Sequence, residues 1–437
     1  MIAFPLFSTC AWFYDRVPPR KKMRGSRAAY GKSSLFADSL NRRLLSATVS
    51  VGVIVAMVLS IGPPLMKAQT PGAGKRSDVQ RVLPITAFYD TPDPLPPGKA
   101  GELIRSEEVE QYEVPYPVSA VRILYHSRSA AGNDVATSGV VLVPSEQKPP
   151  SGGWPVIAWA HGAAGVARSC APSLMRNVGH GPILSMYVNL GYAVVATDYT
   201  GLGTNFRNAF MDSSSNATDV VNSVPAARTA VPQLGARWIV MGEAEGGLTA
   251  LAVAEKENEM RDPGYLGAIA ISDLATAKEV SGHGSSSLML MSLAYGIETV
   301  YPQFKVTDML TQKAFAAYRD IEQMCSQART ISELSPGQTV KPGWESNSFV
   351  RQYFRRNELG QTRAYGPVLV ISSDADRATL ARITSPAIAD MCKQGDQVQW
   401  ERFPDLDPAT LIGDSVRGQI GWIEGRFAGR PDTGKCP

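Results

Sequence analysis

From residue 118 to residue 402, short apolar runs alternate with stretches of helical period. The runs fall at 118–125, 139–143, 155–160, 192–197, 238–241, 266–271, 367–371 and 397–402. Runs of this length, rich in β-branched residues and bounded by turn formers, read as buried strands. Their alternation with helical text predicts an α/β domain, a mostly parallel sheet covered by helices on both faces. Between about 275 and 340 the pattern changes to Leu- and Met-rich text such as Leu288-Met289-Leu290-Met291. That stretch predicts a helical cap above the carboxyl ends of the strands, where open α/β sheets place their sites.

A different pattern occupies the first hundred residues. Residues 44–61 carry no charge, enough to cross a bilayer of ~30 Å as a helix. A basic leader (1–43) precedes them, with Arg16, Arg20, Lys21, Lys22, Arg24 and Arg27 among its charges. Cationic residues before an apolar run hold the N-terminus in the cytoplasm and send the rest outward. Residues 44–66 therefore read as an export signal cut near Ala68 or as an uncut membrane anchor, with Met23 an alternative start. Both readings place the body outside the cytoplasm. Residues 69–100, rich in Pro and Gly, read as a linker or N-terminal wrap, and 101–437 as the folded domain.

Composition adds three constraints. A chain of 437 residues with 44% hydrophobic and 19% charged positions can bury one large core. A net charge of +3 is too close to neutral at this length to point to nucleic acid. Beyond Cys10 in the leader, the even set Cys170, Cys325, Cys392 and Cys436 in an exported chain predicts two disulfides, and residue spacing leaves all three pairings open. No metal-ligand cluster is apparent, and no cofactor is expected.

The chemistry is concentrated at four loops. Gly242-Glu243-Ala244-Glu245-Gly246-Gly247 lies between a strand and a helix, the setting of a G-x-S-x-G nucleophile elbow, with Ala244 where the serine belongs. His161-Gly162-Ala163 follows the 155–160 strand as an oxyanion loop does, and the N–H of Glu245 would complete the hole. Asp374 and Asp376 follow the 367–371 strand, Asp376 being the better placed as the acid of a triad. After the last strand a histidine is required, yet the four histidines are His126, His161, His180 and His283. The order Ser…Asp…His cannot be completed. Ala244 has no lone pair with which to attack a carbonyl, and an ionised Glu245 beside the hole would oppose an oxyanion. Glu243 and Glu245, two apart on a sharp turn, raise the alternatives of an acid/base pair, a cation site shared with Asp376, or His161 as a substitute base.

From about Phe88 to the C-terminus the sequence resembles the secretory lipases, the microbial triacylglycerol lipases related to yeast lipase A. The resemblance is carried by Pro97-Gly98, Ile123-Leu124-Tyr125-His126-Ser127, Gly153-Trp154-Pro155-Val156, Ala160-His161-Gly162, Asp198-Tyr199-Thr200-Gly201-Leu202-Gly203 and Trp422-Ile423. It implies an α/β-hydrolase fold with a helical lid, secretion, ester hydrolysis on lipids, and the pairings Cys170–Cys325 and Cys392–Cys436. It also sharpens the departures. The family's elbow reads Gly-His-Ser-Gln-Gly-Gly, and its Leu-Asp-His stretch is here Leu406-Asp407-Pro408. Of the triad positions only Asp376 is intact. Two readings follow: a lipase-like protein inactive by the serine route that binds a lipid, ester or protein partner, or an ester hydrolase with a rebuilt centre.

Overall fold

A computed structural model describes residues 82–437 apart from 272–273, 283–284, 326–333, 361, 376–379, 405, 432–433, 435 and 437. The leader and the apolar run at 44–61 lie outside the described residues. So do His283 and Asp376.

Nine strands form one sheet in the order β1-β2-β3-β5-β4-β6-β7-β8-β9. They are β1 (Leu103–Val109), β2 (Val118–Arg128), β3 (Asp134–Pro144), β4 (Trp154–Ala160), β5 (Ala193–Thr197), β6 (Leu234–Glu243), β7 (Tyr265–Ile271), β8 (Val368–Ser373) and β9 (Val398–Phe403). The pairs β1–β2, β2–β3 and β3–β5 are antiparallel, and every pair from β5 to β9 is parallel. All eight expected runs are strands. The unexpected ninth, β1, is an edge strand whose Ser106, Glu107 and Glu108 are exposed, so it lacks the apolar signature of its neighbours.

Helices of seven residues or more are numbered α1 (Gly181–Asn189), α2 (Ser213–Ala230), α3 (Glu245–Met260), α4 (Ser287–Val300), α5 (Ser348–Arg356), α6 (Ser385–Lys393), α7 (Pro408–Asp414) and α8 (Val416–Phe427). One face of the sheet packs against α1, α7 and α8 through Leu184, Tyr187, Leu411 and Ile423. The other packs against α2 and α3 through Val220, Val224, Ala250 and Val253. Strands covered on both sides lose the in–out alternation of a half-exposed sheet, which is why β4, β5 and β8 read as continuous apolar runs.

Order reverses at β4: the chain leaves it for β5 on one side and returns to β6 on the other. The carboxyl ends of β4 and β6 therefore border the crevice of a topological switch point. The segment between β7 and β8 is largely helical and carries α4 and α5. Arg207 ties the loop after β5 to α4, bonding Glu298 at 2.6 Å and lying 4.1 Å over the Tyr295 ring.

Two disulfides are present, Cys170–Cys325 and Cys392–Cys436. The first joins the segment after β4 to the helical insertion across 155 residues, with Cα atoms 5.3 Å apart. Closing so long a loop removes much unfolded-state entropy. The double variant Cys170→Ser/Cys325→Ser is expected to lose about 2–5 kcal/mol of stability by denaturant titration, and an unchanged midpoint would count against that role.

Candidate functional site

The turn between β6 and α3 keeps the backbone of a nucleophile elbow. Ala244 sits at its tip with φ 54° and ψ −120°, a conformation that residues with a Cβ adopt only under strain. Its N–H donates to the carbonyl of Ile271 at 3.0 Å, and its own carbonyl accepts from Gly247 at 2.8 Å. The flanking glycines are dictated by space. A Cβ on Gly246 would stand 1.9 Å from the carbonyl oxygen of Ala160, and one on Gly242 2.1 Å from that of Gly246. The N–H groups of Glu245 and Gly246 open α3, where no preceding turn supplies carbonyls for them.

Opposite the tip, His161-Gly162-Ala163 leaves the end of β4. A Cβ on Gly162 would lie 3.5 Å from the Ala244 methyl and 3.2 Å from Oε2 of Glu243, so the two loops meet closely. His161 is no substitute base. Its Nδ1 is 2.7 Å from the Gly162 carbonyl, its Nε2 is 3.1 Å from that of Asp198, and its ring stacks on Tyr199 at 4.1 Å. Burial pulls its pKa down to about 4 despite the two carbonyls, so the ring is neutral near pH 7, with one nitrogen donating to a carbonyl and the other closed off by the second.

The two elbow carboxylates go to opposite faces of the sheet. Glu245 is buried on the α2 side, where its Oε1 accepts from the Met211 N–H at 3.0 Å and from Asn216 Nδ2 at 2.9 Å. Burial raises its pKa to about 7, with both hydrogen bonds and Asp212 modifying that shift. The expected charge beside the hole is therefore replaced by a buried, hydrogen-bonded carboxyl that is half neutral near pH 7. Glu243 instead turns to the α1 side, where its Oε2 lies 3.5 Å from Nε2 of His180. Burial raises the Glu243 carboxyl and the imidazole offsets part of that rise. This divergence rules out Glu243 and Glu245 as an acid/base pair or as joint ligands of a cation. Among the described residues no group of three or more His, Cys, Asp or Glu could hold a metal.

The remaining positions are structural in their surroundings. Asp374 forms a two-pronged pair with Arg402, both contacts at 3.1 Å. Pro408 is the first residue of α7, a place where a missing N–H costs nothing. His126 faces Asp134 at 3.0 Å, far along the β2–β3 hairpin. His180, which precedes α1, is the histidine that the fold brings to the elbow and that the sequence does not point out.

A family model for the secretory lipases matches residues 182–435. The chain belongs to the secretory lipase family. No curated protein matches it. Among solved structures, lipase A of Candida antarctica is similar with a TM-score of 0.69 and 16% identity, over 82% of this chain and 89% of that one. The rice cell wall degrading esterase LipA of Xanthomonas oryzae gives a TM-score of 0.63 and 17% identity, over 76% and 100%. A putative hydrolase of Legionella pneumophila gives 0.63 and 17%, over 74% and 97%. At these identities the likeness establishes the α/β-hydrolase fold. Family membership and two disulfides fit an extracellular protein. Among the described residues no helix is long and apolar enough to cross a membrane.

Two stability tests follow from the elbow. Ala244→Gly removes a strain of about 1–3 kcal/mol at the cost of about 0.4–1 kcal/mol in unfolded-chain entropy. Its denaturation midpoint should rise by the equivalent of about 1 kcal/mol, and a lower midpoint would show the turn to be unstrained. For Glu245 the folded pKa of about 7 lies above its ordinary 4.5, so the folded chain holds the extra proton between them. Stability falls as pH rises through that window. Glu245→Gln should therefore gain on the native protein between about pH 5 and pH 8, and a constant difference across that range would contradict the assignment.

Proposed function

We propose that this secretory-lipase homologue does not hydrolyse esters through a serine acyl-enzyme and that it binds a lipid or ester ligand at the elbow crevice. The observation that carries the reading is Ala244 itself, a strained tip with φ 54° held between the intact glycines of an elbow and bearing only a methyl group. Without an oxygen or sulfur there, no covalent acyl intermediate can form. The position that follows Leu406-Asp407 is Pro408, which can neither take nor return a proton. Losing a triad in subtilisin costs about 10⁶ in kcat.

What persists is the binding half of the apparatus. Gly162 still approaches Ala244, and the first-turn N–H groups of α3 still face the crevice end of the sheet, where they favour a carbonyl or carboxylate oxygen. Asp376 keeps the sequence position of the orienting acid, with no histidine after it in the chain. Membership of the secretory lipase family supports an acyl ester or a lipid as the ligand class. We place the folded body outside the cytoplasm, delivered by residues 44–66 as a cleaved signal or an uncut anchor.

The test is hydrolysis of short- and long-chain p-nitrophenyl esters, with a fluorophosphonate probe for an activated serine. The native protein is expected to show no probe labelling and no burst. Ala244→Ser alone is expected to add no serine-dependent turnover, because no proton acceptor stands at position 408. The double variant Ala244→Ser/Pro408→His is expected to exceed the single one. Labelling of the native protein, or strong turnover by Ala244→Ser alone, would refute the reading.

A further inference from the structure

We propose that Glu245 is a latch between the elbow and the helical insertion: protonated, it holds α4 and α5 down, and ionised, it lets them loosen. The inference rests on the preceding reading that the elbow crevice is the ligand site, and it adds what controls access to that site.

The link is the segment 207–213, between β5 and α2. On one side it is tied to the insertion along its whole length. Arg207 reaches Glu298 at 2.6 Å and Thr299 at 3.3 Å, both on α4. Gly296 of α4 comes so near the Phe210 carbonyl that an added Cβ would stand 2.6 Å from it, and the same carbonyl accepts from the Tyr353 hydroxyl of α5. Asp212 pairs with Arg356 at 2.7 Å, and the Ser213 N–H donates to Oδ1 of Asn357 at 2.8 Å. On the other side Glu245 ties the segment to the elbow, its Oε1 accepting from the Met211 N–H at 3.0 Å and from Asn216 of α2 at 2.9 Å. Met211 has φ 63°, a conformation that its surroundings impose on a residue with a Cβ. The link is therefore strained at the residue that Glu245 holds.

The groups facing Glu245 make that hold depend on its proton. Both donors are neutral. Asp212 opposes a negative charge from the start of α2, and the guanidinium of Arg356 on α5 is engaged by Asp212. Tyr199 after β5 and Tyr353 on α5 are buried, with hydroxyls pushed well above their usual value, so both stay uncharged. Among the described residues no cation pairs with Glu245, and a buried carboxylate without one is costly. Burial accordingly lifts the carboxyl from 4.5 to about 7. Once the segment lifts and water reaches the side chain, its pKa falls back towards 4.5. The proton thus favours the closed form, and the ratio of open to closed rises about tenfold per pH unit between about 4.5 and 7, levelling off above. Asp219, further along α2, is also raised, to about 6, but its oxygens are held by Ser127 and Thr200, outside the segment. The Cys170–Cys325 bridge stays intact throughout, so the opening is a local release of α4 and α5.

The experiment is hydrogen exchange of the purified full-length chain in detergent from pH 5 to pH 8, each rate corrected for the chemical exchange of a free amide. The native protein is compared with Glu245→Gln, which keeps an acceptor for Met211 and cannot ionise. In the native protein the amides of α4 and α5 are expected to open more often than those of β4 and β6, by an equilibrium that grows about tenfold per pH unit from 5 to 7. In Glu245→Gln that growth should be lost. An equal slope in the variant overturns the latch. So does a native profile without a slope between pH 5 and pH 7, which decides the matter even if the variant fails to fold. Protection of α4 and α5 equal to that of β4 and β6 at every pH would show global unfolding and overturn it too. Exchange is read without ligand, so a failure to bind any ester or lipid counts against the preceding reading alone.

Discussion

Among the glycines of the described residues, those joining the first turn of α3 to the ends of β4 and β6 meet some of the tightest backbone contacts. Gly246 lies so near the Ala160 carbonyl that no side chain fits between them, and Gly242 lies equally near Gly246. Nearly everything at the crevice depends on that contact. It forces the turn to be tight, the tight turn forces Ala244 into the left-handed half of backbone space, and that conformation projects residue 244 away from the sheet. Steric demand of this kind persists whether or not the projecting side chain is reactive. A helix packed on a strand does not register the loss of a hydroxyl at its tip.

The same turn sends its two carboxylates in opposite directions. Glu243 continues the alternation of β6 and emerges on the face covered by α1, whereas Glu245 begins α3 and is buried against α2. Each is accommodated by a different means. Burial favours the neutral form of Glu245, and the two hydrogen bonds it accepts from Met211 and Asn216 offset part of that rise. Glu243 stays near water with a single imidazole beside it. A pair that looks equivalent in the sequence is thus divided into one structural acid and one that faces the crevice.

The β4 to β8 framework could be read from the sequence because those strands are largely buried on both faces and leave apolar runs. The elbow could be read because close packing admits only glycine at Gly242 and Gly246. By contrast, β1 is an edge whose exposed Glu107 and Glu108 resemble a loop. Helix α2 is polar in text, since Asn216, Asp219 and Asn222 are buried in hydrogen-bonded places that only the assembled fold provides. His180 was hidden for the same reason: proximity to Glu243 depends on how α1 docks on the sheet, which no local spacing encodes. The disulfide pairing was likewise open to residue spacing, and the fold resolves it by bringing each pair of Cα atoms within 6 Å.

The bridge between Cys170 and Cys325 has a mechanical consequence. A helical insertion held only at its two stems, after β7 and before β8, would swing as a flap about the line joining them. The bridge adds a covalent point between the insertion and the segment after β4, alongside the Arg207–Glu298 contact, so rotation about that line would strain a bond as well as break a hydrogen bond.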